Sequence, residues 1–342
     1  MPLSKRRLLP GLAVAVLVLG TLAVEVVLRA QGKRPWTPVE RQMTVEPGGK
    51  LYAPHERLGY GLYPGAYEVT LLGTGYTFHI AHDEHGRRRT SRPGDARITG
   101  ARGEIWILGC SMTYGWSVDD EDSYPWVLQQ SLPDYRVVNF GVNGFGTLHA
   151  WIQLQDALAG GRRPALAVLA YGSFHDERNT FVRVRRKTVV SARSFGPHVQ
   201  PYARLDGDGE LVVAMAEREY SPFPLQRYSA LVHELERSYN RRELRASRGA
   251  EVSEAIVREV HALCRGNGVE LVLAGIDRSE RTREMRRFAR AEGIPSVDLS
   301  LDLAHNRHLR NLPHDGHPNA AGHRLYAQKL LAFLEGQLRR GR

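Results

Sequence analysis

Ile105-Trp106-Ile107-Leu108-Gly109-Cys110-Ser111-Met112-Thr113-Tyr114-Gly115 is the stretch from which the rest of the chain can be read. An apolar run breaks at a glycine and, two positions on, presents a serine. Short continuous apolar runs read as parallel strands buried on both faces. The small residues that follow let the backbone turn sharply, so Ser111 falls just past the carboxyl end of the strand. In open α/β sheets that edge is where ligands bind. A serine there gains chemistry when a base and an oxyanion site lie nearby.

Further strands are expected over 104–108, 136–140, 165–171, 269–274 and 296–299, alternating with helical patterns. Val252, Ile256, Val260 and Leu263 recur at helical spacing, and Gly266 and Gly268 stop that helix. Thr282, Met285 and Phe288 give a second apolar stripe beneath a basic face. Such alternation predicts a parallel sheet with helices on both sides. Right-handed crossovers gather the loops after successive strands on one edge. Ser111, Gly144 and His175 each follow a strand and fall on that edge.

The base comes from the far end. His314-Asp315-Gly316-His317-Pro318-Asn319-Ala320-Ala321-Gly322-His323 leads into the amphipathic Leu325-Tyr326-Ala327-Gln328-Lys329-Leu330-Leu331. An acid and a histidine before a C-terminal helix can be carried by the fold to face Ser111. In a serine triad the imidazole takes the hydroxyl proton and a carboxylate fixes its tautomer. His314 and His323 read as surface residues.

These segments together resemble the SGNH, or GDSL-like, hydrolase family over about 104–334. The resemblance implies a flavodoxin-like three-layer α/β sandwich with a parallel sheet, an acyl-enzyme mechanism and no cofactor. Ser111 matches the family nucleophile, with Cys110 where Asp is usual. Val137-Val138-Asn139-Phe140-Gly141-Val142-Asn143-Gly144 is similar to the family's second strand and glycine turn, and Gly144 matches the glycine whose N–H faces the oxyanion. His317 matches the catalytic histidine. The acid usually lies three residues earlier, where this chain has His314, so Asp315 is taken as the orienting acid. Such a D-x-H arrangement resembles membrane-linked relatives that modify polysaccharides. The third block ends in an Asn donor, and here Gly172-Ser173-Phe174-His175-Asp176 places His175 there. Either the His175 imidazole or Asn179, one turn later, is expected to supply that hydrogen bond beside the Ser111 amide. A metal reading of His305, His308, His314, Asp315 and His317 has no HExxH or CxxC spacing behind it.

Lys5, Arg6 and Arg7 precede an apolar stretch over 8–28, interrupted by Pro10, two glycines, a threonine and Glu25. About twenty residues suffice to cross a bilayer as a helix. With no small-x-small cleavage site before Arg29, the expectation is an uncleaved anchor with a cytoplasmic N-terminus. A cleaved signal peptide is the alternative, and Arg29, Lys33 and Arg34 oppose the orientation. The chain carries a net charge of +10 over 342 residues, drawn mostly from arginine clusters at 87–89, 183–187, 241–242, 278–290 and 339–340. These read as solvated faces. Without aromatic interleaving or zinc spacing they do not argue for nucleic acid. Its two cysteines build no disulfide framework.

The expected organisation is a tip and transmembrane anchor over 1–29, a linker over 30–50, a β-rich lead over 51–102, and a hydrolase-like domain over 103–342. Leu58-Gly59-Tyr60, Pro64-Gly65 and Gly86-Arg87 are similar to the small β-lead before membrane-anchored SGNH domains. An insertion over about 180–246 contains a hairpin around Asp206-Gly207-Asp208-Gly209 and serves either as a lid or as a passive extension. The expected function is a membrane-anchored, extracytoplasmic serine esterase or deacetylase acting on esters of envelope glycans or lipids. The alternatives are an O-acyltransferase on an envelope polysaccharide and a non-catalytic glycan- or partner-binding protein. Oligomeric state is open.

Overall fold

A computed structural model describes residues 5–38, 43–95, 98, 100–191 and 199–340. Residues 1–4 of the expected tip, 39–42 of the linker, 96, 97 and 99 of the lead, 192–198 of the insertion and 341–342 lie outside the described residues. So do the side chains of Lys5, Arg6, Arg7, Arg339 and Arg340.

Helix α1 (Lys5–Ala30) opens the chain, and over Gly11–Ala30 it is long and apolar enough to cross a membrane. A β-rich segment follows. β1 (Met43–Glu46) pairs antiparallel with β4 (Gly65–Leu71), which forms a hairpin with β5 (Tyr76–His82). β2 (Tyr52–His55) pairs with β3 (Gly59–Leu62). The expected linker is not a free tether: the Trp36 amide donates to Gln226 O at 3.0 Å and β1 is bound to β4. Its scattered Pro and Gly hid these contacts, which are made to residues distant in sequence.

The main sheet consists of β6 (Gly103–Leu108), β7 (Tyr135–Asn139), β8 (Leu166–Tyr171), β11 (Glu270–Gly275) and β12 (Ser296–Asp298), all parallel. Their spatial order is β12-β11-β8-β6-β7. Counted along the chain this is the flavodoxin-like order 2-1-3-4-5, whose switch point lies between its first and third strands, β6 and β8.

Alternate residues of each strand face opposite ways. Trp106, Leu108, Ala167, Leu169, Leu271 and Leu273 pack on one side with α4 (Thr147–Ala159), α8 (Gly249–Gly266) and α9 (Glu280–Ala291). Ile105, Ile107, Leu166, Val168, Val272 and Ala274 pack on the other with α3 (Tyr124–Ser131) and α10 (Ala320–Arg340). Both faces are covered, which is why these strands read as unbroken apolar runs rather than alternating ones. The result is a three-layer sandwich preceded by an apolar helix and a β-rich segment, the fold class expected from the sequence.

Three short elements complete the edge of the sheet: α2 (Ser111–Tyr114), α5 (His175–Asn179) and α6 (Arg183–Ser191). The insertion continues with the antiparallel hairpin β9 (Val199–Leu205) and β10 (Leu211–Glu217) and with α7 (Ala230–Ala246). Gly59 lets β3 meet this hairpin. Its φ is +78°, and a Cβ there would lie 2.3 Å from Val199 O, so only glycine fits.

The arginine clusters are not all solvated. Arg88 is buried, pairs with Asp120 at 2.8 Å and donates to the carbonyls of Tyr114, Gly115 and Val118. It locks the lead segment onto the turn after Ser111. Arg185 is buried as well. Charge counting along the sequence does not reveal which member of a cluster points inward.

Candidate active site

β6 ends at Leu108, and the chain turns through Gly109 and Cys110 into α2, whose first residue is Ser111. Asn139, at the end of β7, fixes this turn. Its amide nitrogen donates to Thr113 O at 3.0 Å and its oxygen accepts from the Gly141 amide at 2.8 Å. The Val142 amide adds a bond to Gly109 O at 3.3 Å. The serine turn and the glycine turn are therefore one rigid unit at the switch point.

The loop before α10 folds on itself. Asp315 N donates to Asn311 O at 2.8 Å, Asn311 N donates to His317 O at 2.9 Å, and the Asn311 side chain holds Ser117 O at 2.8 Å. His317 Nε2 thereby comes within 2.8 Å of Ser111 Oγ. On its other side, His317 Nδ1 pairs with Asp315 Oδ1. The same carboxylate oxygen accepts the His317 backbone amide at 2.7 Å, fixing the acid against the histidine that follows it by two residues. Ser111 is 7% exposed, and the His317 and Asp315 side chains are 18% and 10% exposed. A hydroxyl, an imidazole and a carboxylate thus form one hydrogen-bonded line, with the imidazole its most exposed member.

Gly144 sits in the glycine turn at φ +80°, where a Cβ would strike the Tyr60 hydroxyl at 2.6 Å. Three successive carbonyls of this turn are held from behind. Tyr60 OH donates to Asn143 O at 2.5 Å, Arg185 Nη2 to Gly144 O at 2.6 Å and Arg178 Nη1 to Phe145 O at 2.8 Å. Asn143 O and Gly144 N–H belong to one planar trans peptide and point in opposite directions. Fixing the carbonyl toward Tyr60 fixes the amide away from it. Among the described residues neither the Ser111 nor the Gly144 amide has a hydrogen-bond partner.

His175 begins α5 beyond β8 and is fully buried. Its Nδ1 lies 3.2 Å from Thr147 Oγ1, while Nε2 is buried with no partner among the described residues. Burial holds its pKa well below the usual histidine value, so the ring is neutral. Met112, next to Ser111, and Phe174, next to His175, pack on the same small cluster of Cys110, Ala170 and Ile276.

Asn179 does not fit the alternative donor role. Its Oδ1 accepts the Leu148 amide at 3.0 Å and its Nδ2 donates to Ser253 Oγ at 2.9 Å. Both ends of the amide are spent joining α4 to α8. The two histidines read as surface residues also differ from expectation. His323 is fully buried, accepts the Tyr124 amide at 3.3 Å and has its pKa pushed down to about 3 by burial. His314 is half-buried and stacks on Tyr76 at 4.6 Å. His323 lies on the inward stripe of α10, one turn before Tyr326, a position that helical periodicity could have flagged.

Tyr60, Arg178 and Arg185 were not foreseen. Tyr60 lies between two glycines in a short apolar strand, and Arg178 and Arg185 belong to strongly charged runs. Nothing local marks any of them as a support for the turn at 143–145. Asn139, a polar residue closing an apolar strand just before a glycine turn, did carry such a signal.

No family profile and no curated protein matches the sequence. Among the solved structures to which the chain is similar are the following three. One is a member of the lipolytic G-D-S-L family from Veillonella parvula DSM 2008, at 12% identity and a TM-score of 0.38, covering 67% of this chain and 96% of that one. A second is a psychrotrophic esterase from Pseudoalteromonas sp. inhibited by monoethylphosphonate, at 14% identity and 0.39, covering 69% and 99%. The third is an acetylxylan esterase from Geobacillus stearothermophilus, at 15% identity and 0.37, covering 68% and 94%.

Proposed function

We propose that this chain is a membrane-anchored SGNH-type ester hydrolase whose acyl-enzyme forms on Ser111. The observation that carries this reading is the line from Ser111 Oγ through His317 to Asp315 at the switch point of the sheet. An isolated serine turn is common. A serine within 2.8 Å of an imidazole whose far nitrogen meets a carboxylate, with its own amide unspent among the described residues, has the parts of a nucleophilic site.

In the proposed reaction, His317 Nε2 takes the Ser111 proton as Oγ attacks the ester carbonyl. Asp315 holds the Nδ1 proton and stabilises the imidazolium without taking the proton. The negative charge that develops on the carbonyl oxygen is met by the Ser111 and Gly144 amides and by His175 Nε2–H. Collapse of the tetrahedral intermediate breaks the bond to the leaving alcohol, which receives the proton from His317. Water, deprotonated by His317, then attacks the acyl-enzyme, releasing the carboxylic acid and restoring Ser111. An alcohol in place of water gives acyl transfer by the same steps. Anchoring through α1, with the body outside the cytoplasm, makes envelope glycan or lipid esters the substrates of this reading.

The test is labelling of the detergent-solubilised full chain with a serine-directed fluorophosphonate, together with turnover of p-nitrophenyl acetate. Labelling and turnover that both vanish in Ser111→Ala support the reading. A folded protein that neither labels nor turns over is a binding protein on this fold, and the reading fails.

A further inference from the structure

Glu25 lies within the apolar stretch, five residues before its end at Ala30, which is about 7 Å along the helix axis at 1.5 Å per residue. Its carboxylate is not left to lipid. It accepts from Ser229 Oγ, Ala230 N and Leu231 N, each at 2.9 Å, and from Arg29 Nε at 2.6 Å. Glu25 thus caps the N-terminus of α7, a helix of 17 residues. A carboxylate at that depth is costly unless paired, and free amides with the positive end of a helix dipole are suitable partners. Arg29 reinforces the joint by donating to Tyr228 O at 2.6 Å.

This bond fixes the depth of everything that precedes α7. The headgroup layer on each side of a bilayer is about 5–8 Å thick, so a helix end bonded to Glu25 lies in or below that layer. The loop leading into it carries Leu225 at 67% and Tyr228 at 76% exposure, with Arg227 exposed between them. Leu225 holds φ +63°, a conformation that is uncommon for leucine and costs energy. The loop is not loose. Buried Glu236 accepts from Tyr220 OH at 2.5 Å, from Gln226 Nε2, from Lys187 Nζ and from Arg183 Nε at 3.3 Å. Exposed leucine and tyrosine beside arginine at this level are the residue types that sit at a lipid interface.

We infer that the loop over 222–229 is a lipid-docking surface, inserted in the headgroup layer of the leaflet from which α1 emerges. This rests on the reading of α1 as a membrane span. The body is then held against the bilayer in one orientation. The contacts continue inward from the docked loop, because α6, which grips Glu236 through Arg183 and Lys187, also carries the Arg185 that holds Gly144 O.

The test uses the full chain in nanodiscs of phosphatidylcholine and phosphatidylglycerol, labelled with an environment-sensitive fluorophore through Leu225→Cys, Tyr228→Cys, Asp208→Cys or Val18→Cys. The native Cys110 and Cys264 are buried and leave these positions to take the label. Labels at 225 and 228 are expected to be quenched by brominated lipids, as at 18, whereas the label at the hairpin tip, 208, yields only to aqueous iodide. Iodide quenching at 225 and 228 with lipid quenching retained at 18 overturns the docking surface and leaves the span standing. Resistance of 225 and 228 to both quenchers shows a protein partner or second copy on this face and overturns it too. Loss of lipid quenching at 18 removes the span and the inference with it.

Discussion

Tyr60, on a strand of the β-rich segment, donates its hydroxyl to the carbonyl of Asn143, and the same peptide unit carries the Gly144 amide on its opposite side. The β-rich segment therefore reaches into the candidate site. A donor on the carbonyl oxygen both aims the amide and polarises it. Tyr60→Phe removes one neutral hydrogen bond of about 1 kcal/mol and leaves the ring in place. The expected outcome is a fall in kcat of about five- to tenfold with KM unchanged. Steady-state kinetics on an activated ester check it. A rise in KM at constant kcat contradicts a role in stabilising the transition state.

Asp315→Asn keeps the shape of the loop but presents an amide to His317 Nδ1 and favours the wrong tautomer. The proposed mechanism then loses kcat by about 10⁴-fold, the loss expected when the acid of a serine triad becomes an amide. Thermal unfolding should move far less than activity does. A variant that keeps a tenth of the wild-type rate rules out Asp315 as the orienting acid.

In the proposed mechanism the third oxyanion donor is His175, a neutral, buried ring whose Nε2 has no partner among the described residues. His175→Ala is expected to lower kcat by about a hundred- to a thousand-fold, the cost of one oxyanion donor. His175→Asn, which returns an amide donor to that place, should recover much of this. Equal losses in both variants would assign the ring to packing against Tyr171 and Phe174 instead.

Stability should depend on pH through histidines that the site does not use. Burial pushes the pKa of His82 down to about 4 and those of His149 and His323 down to about 3. Above the ordinary value near 6.5, folded and unfolded chains bind the same number of protons at these groups. As pH falls below it, the unfolded chain takes up protons that the folded chain refuses, so stability falls. The loss is on the order of 1 kcal/mol per histidine for each pH unit between about 6.5 and 4. Urea melts between pH 7 and 5 check this, and His149→Gln is expected to shallow the slope. A flat profile over that range would mean that these rings are not buried as described.

The five sheet strands, the helices that cross between them and the apolar N-terminal stretch were legible from local pattern. Ile105 to Leu108 must be a buried strand because all four are apolar, and a serine after a glycine must sit where that strand ends. The resemblance at 111, 144 and 317 named three positions more than 30 and 170 residues apart, and right-handed crossovers were the reason to expect the loops at 111, 144 and 175 on one edge. The contact of His317 with Asp315 was readable because both residues share one short loop.

The supports of the site were not readable in this way. Asn179 looked like a free donor one turn from His175, and only the packing of α4 on α8 shows its amide to be consumed. Arg88 and Arg185 lie in runs that look solvated, yet each turns inward to carbonyls that only the folded turns present. Tyr60 and Glu25 find partners 83 and roughly 205 residues away. Hydropathy and turn chemistry are local quantities, so the sequence by itself determined the elements and their order. A hydrogen bond forms only where a donor and an acceptor are brought together at short range and in suitable alignment, and only the tertiary structure decided which of these side chains met and which stayed in water.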